Sequence, residues 1–135
     1  MAPPDRPTPA GDSVPQLVPP GWPEQVLPPQ APDWERSAVG WLFDLCPAEY
    51  RAHDVLRKHP VVLARFAAGH VEAGVEAARH GIRTARAELR GVVDGAVVDA
   101  AIAAYEREGR RLIAVGRQVA LVDAALRGER HVPRL

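Results

Sequence analysis

The side chains best suited to chemistry in this sequence are five histidines, one cysteine and a scatter of carboxylates and arginines. His53, His59, His70, His80 and His131 include no pair four apart, so no helical turn can clamp a metal between two imidazoles. Glu72, Glu76 and His80 do follow one another at four-residue steps. A two-helix metal centre, however, needs a matching Glu-x-x-His on the facing helix. Glu106 and Glu108 are present there, but no such motif is. No metal site is expected. Cys46 precedes Pro47 beside Trp41, Leu42 and Leu45, the setting of a small buried hydrophobe rather than a reactive thiol. The serines and threonines are Thr8, Ser13, Ser37 and Thr84, none in a His/Asp arrangement, and no Gly-rich phosphate loop is present. With no catalytic residues and no cofactor motif, the chain does not read as an enzyme.

Two charged features remain. Arg79, Arg83, Arg86 and Arg90 recur at helical spacing and could contact phosphates. Glu72 and Glu76 precede them, however, and acid-then-base order is what dipole compensation produces on any solvated helix. The 17 basic and 17 acidic residues balance to a net charge of +0, unlike the basic footprint of a non-specific nucleic-acid binder. A nucleic-acid-associated accessory role through the Arg row is therefore the alternative reading. The other feature is Glu108, a lone charge on an apolar helical seam.

These residues have to be positioned by helices. Asp33 is a suitable N-cap, and Trp34, Ala38, Trp41, Leu42 and Leu45 then share one face of a helix over 34–45. Pro47 ends it and opens a second helix over 48–58, with Tyr50, Val55 and Leu56 inward. Pro60 starts a third. Val61, Ala64, Ala68, Val71, Val75, Ala78, Ile82, Ala85 and Leu89 alternate three and four apart through 60–90, the stripe of a coiled-coil-like helix. Gly91 suits the position after its end, and Asp94 an N-cap for the next. The spacing resumes over 95–127 with Val98, Ala101, Tyr105, Glu108, Leu112, Val115, Val119, Val122 and Leu126. At 1.5 Å per residue each long helix spans about 45 Å.

So short a turn makes the two long helices antiparallel neighbours. The expected fold is all-α: a long helical hairpin with two short helices near its open end. Residue i then faces roughly residue 187 minus i. Glu108 falls opposite Arg79, and a seam pair between them is expected to set register, as polar seam residues do in coiled coils. Two stripes of small residues, Ala67, Gly74, Ala77 and Gly81 on one helix and Gly109, Gly116 and Ala120 on the other, are expected on opposite faces of the hairpin. The short helices cover one. The other, with Ile102, Gly109, Ile113, Gly116 and Ala120, is left as a surface for a protein partner or a homodimer.

Outside the helices, 11 of the 14 prolines fall within residues 1–32. Pro-Pro segments such as 19–20 and 28–29 predict extended or polyproline II chain. Residues 1–13 read as a disordered leader, 14–32 as an extended arm that docks on the helices, through Trp22 and Leu27, or on a partner, and 129–135 as a C-terminal tail. The opening Met1-Ala2-Pro3-Pro4-Asp5-Arg6 lacks the basic and apolar regions of a signal peptide. Nor is there a run of about 18 uncharged apolar residues to span a bilayer. With a single cysteine the chain has no internal disulfide, and a cytoplasmic protein is expected.

The stretch from Trp34-Glu35-Arg36-Ser37 through Trp41-Leu42-Phe43-Asp44-Leu45-Cys46-Pro47 to His59-Pro60-Val61-Val62-Leu63 resembles small helical proteins of unassigned function from G+C-rich bacteria. The ending Ala125-Leu126-Arg127-Gly128 with Val132-Pro133-Arg134-Leu135 is similar to the same group. The resemblance spans residues 19–135 and implies no activity and no site residue. The function expected is a helical protein-interaction or regulatory module.

Overall fold

Pro60, pre-set for the first turn of a helix, begins the longest apolar repeat of the chain, and that repeat organises the fold. The computed structural model describes residues 18–129; the expected leader, residues 14–17 and the end of the tail, with His131, lie outside them. In chain order the elements are α1 (Trp34–Asp44), a 3-10 turn (Ala48–Ala52), α2 (Asp54–Lys58), α3 (Pro60–Leu89) and α4 (Gly95–Leu126). α3 and α4 form the expected antiparallel hairpin, and α1 and α2 pack against its open end.

The hairpin turns at Gly91, whose φ of 75° is a left-handed value that glycine reaches without penalty. Asp94 occupies the N-cap of α4 through its backbone alone: its carbonyl accepts from Val97 and Val98 N–H, and its side chain makes no capping bond. At the far end Gly128 (φ 86°) donates to Ala125 O, and Glu129 donates to Ala124 O. That bond pair is a Schellman cap, which stops α4.

The register near 187 holds. Gly109 stands opposite Ala78, and Gly116 opposite Val71. Both helices, however, are rotated about their axes by roughly one position from the expected seam. On α3 the inward line is Ala67, Val71, Gly74, Ala78, Gly81 and Ala85, while Ala68 is exposed and Val75 and Ile82 are only half-buried. On α4, Gly109 and Gly116 come inward and Glu108 turns out. Ala67, Gly74 and Gly81 thus share one interface with Gly109 and Gly116, instead of lying on the opposite face from them, while Ala77 and Ala120 stay exposed. The reason is packing. Gly74 seats the Leu112 side chain and Gly81 the Tyr105 ring, large groups that need a hole to fill.

The same rotation removes the expected Arg79–Glu108 pair. Arg79 Nη1 bonds Glu76 Oε1 at 2.7 Å on its own helix, and Glu108 takes both the Nη2 and Nε donors of Arg111, at 2.6 and 3.0 Å. Both pairs are solvent-exposed, and among the described residues no charged side chain is buried. Avoiding the desolvation cost of a seam ion pair is the physical reason.

At the open end Ala38, Trp41, Leu42 and Phe43 of α1 join Leu56 of α2, Leu63, Ala64 and Ala67 of α3, and Val119 and Val122 of α4. Leu42, Leu56 and Leu63 are fully buried, each contributing about 1.5–3 kcal/mol of transfer free energy. The second expected helix is broken at His53, whose backbone is extended (φ −87°, ψ 111°). Leu56 consequently points in while Val55 is 48% exposed, and Tyr50 lies edge-on to Phe66 at 5.8 Å.

Residues 18–32 pack against the helices as a string of turns rather than as an extended arm. Trp22 N–H donates to Pro19 O, Val26 N–H to Pro23 O and Ala31 N–H to Pro28 O. In the first and last of these a second proline (Pro20, Pro29) fills the i+1 position and a positive-φ residue (Gly21, Gln30) the i+2 position. That is the requirement of a type II turn, so the Pro-Pro pairs turn the chain instead of extending it. Pro23, fully buried, and Val26, 3% exposed, are the anchors; the Trp22 indole N–H donates to the Val26 carbonyl, and Leu27 faces solvent. Ser37 Oγ accepts from Leu27 N–H and donates to Trp34 O, tying the turns to α1. Asp33, at the N-cap with φ 62°, makes no side-chain capping bond.

Candidate functional site

Helix geometry divides the hairpin surface into two faces. One carries α1 and the N-terminal turns. On the other, away from α1, α3 presents Val75 and Ile82, and α4 presents Ile102, Ile113 and Ala120. Val75, Ile82 and Ile102 are half-buried and Ile113 is 39% exposed, so the four form an apolar strip that no described element covers.

The expected partner surface is therefore divided. Ile102, Ile113 and Ala120 belong to the open face, whereas Gly109 and Gly116 belong to the seam with α3. Val75 and Ile82, expected in the seam, join the open face instead. The signal for this lay in Gly74 and Gly81, one position earlier in the same repeat, which provide the holes that large α4 residues fill.

Of the Arg row, Arg79 pairs with Glu76, and Arg86 Nη1 reaches Asp99 Oδ1 across the hairpin at 2.9 Å. Arg83 and Arg90 are exposed. Half of the row already has an acidic partner within the chain.

A shallow cavity of about 290 Å³ lies where α1 ends against the hairpin, and no sequence pattern pointed to it because it draws on three elements. Its polar lining is Asp44, His70, Glu108 and Arg111. Asp44 is engaged by Arg51 at 2.8 Å, and Glu108 by Arg111. The Arg111 guanidinium holds the Glu108 carboxyl below its ordinary value, and Glu108 in turn raises Arg111. A charge pair that satisfies itself in water has little left for substrate.

Cys46 is half-buried, and burial pushes its thiol up despite the opposing Arg51 charge, which makes it a weaker nucleophile at neutral pH. Glu72, Glu76 and His80 stay on the exposed side of α3, and among the described residues no three His, Cys, Asp or Glu side chains gather as metal ligands. No helix among them is long and apolar enough to cross a membrane.

Fold and surface together define an all-α protein: a helical hairpin braced at one end, with one face that no element among the described residues covers. Comparison with protein-family models, with curated proteins and with solved structures finds no match.

Proposed function

We propose that the protein is a helical interaction or regulatory module rather than an enzyme, and that it works through the face of the hairpin opposite α1. The observation that carries this reading is the strip of Val75, Ile82, Ile102 and Ile113, held on two long helices and covered by no element among the described residues. α1, α2 and the N-terminal turns brace the open end, so the strip is presented on a stiff support and little ordering entropy is lost on binding.

The test is affinity purification of the intact chain from its source cells, wild type beside Ile113→Glu, followed by mass spectrometry. Proteins retained by the wild type and lost from a variant of unchanged helicity support the reading; identical profiles sink it. The second reading, nucleic-acid association through Arg79, Arg83, Arg86 and Arg90, rests on the exposure of Arg83 and Arg90. Retention on heparin that weakens steeply as salt rises would favour it.

A further inference from the structure

We draw no further inference here: the strongest candidate, the apolar strip of Val75, Ile82, Ile102 and Ile113 on the face of the hairpin away from α1, belongs to the interaction reading above, and nothing in the structure shows what covers it.

Discussion

At Gly81 the hairpin has no room for even a methyl group. A Cβ there would lie 2.3–2.6 Å from three atoms of the Tyr105 ring, so alanine must expel the ring from its seat. Gly81→Ala is expected to destabilise by about 1–2 kcal/mol in urea unfolding, overpacking outweighing the gain in helix propensity. Combined with Tyr105→Ala, the same substitution should become stabilising, because the atoms it strikes are gone. Gly69 is the control: nothing lies within 4 Å, and no feature of the structure explains a glycine there. Gly69→Ala is expected to stabilise by about 0.5–1 kcal/mol. Glu108 makes a separate point at this scale. Its carboxyl is lowered chiefly by the hydrogen bond from Arg111, so any stabilisation it gives is present above the unfolded carboxylate pKa and lost as pH falls through the folded one. A carboxyl titration followed by NMR should move upward in Arg111→Ala and stay put in Arg79→Ala. The opposite pattern would reinstate a pair across the seam.

The elements differ in how they are held. The N-terminal turns contribute few hydrogen bonds but two deep anchors, Pro23 and Val26, and Val26→Ala is expected to cost about 2 kcal/mol through its cavity. Leu27→Ala, at a site 44% exposed, should stay within about 0.5 kcal/mol. Equal effects at the two positions in denaturant titrations would place the anchor wrongly. Polyproline reasoning failed on this segment because proline restricts φ without choosing between an extended chain and a turn. The positive φ at Gly21 and Gln30 makes that choice, and docking of Trp22 and Val26 on α1 stabilises it. The break between the 3-10 turn and α2 has a similar origin. Local propensity allows one helix over 48–58, but burying Leu56 while setting Tyr50 edge-on to Phe66 requires the extended residue at His53.

Over the whole molecule the core is graded. Large side chains such as Leu42, Leu56 and Leu63 fill the open end, whereas toward the turn the buried positions are Ala78, Gly81, Ala85 and Val98. Local opening should follow that gradient. In the Ile113→Glu protein, amide hydrogen exchange over 80–104 is expected to be faster than over 61–67 and 118–123. Uniform exchange along the hairpin would contradict that gradient. The sequence alone determined the helical class, the antiparallel pairing and the register, because a 3.5-residue apolar repeat, a glycine turn and matched lengths admit one solution. The rotation of each helix about its axis was left to the tertiary structure. A shift of one position preserves the repeat, and the choice depends on which large residue finds a hole opposite it. That choice put Gly74 and Gly81 beneath Leu112 and Tyr105 and released Glu108 to solvent. It also left Val75, Ile82, Ile102 and Ile113 on the open face, because a pair of helices buries only the side chains that point between them.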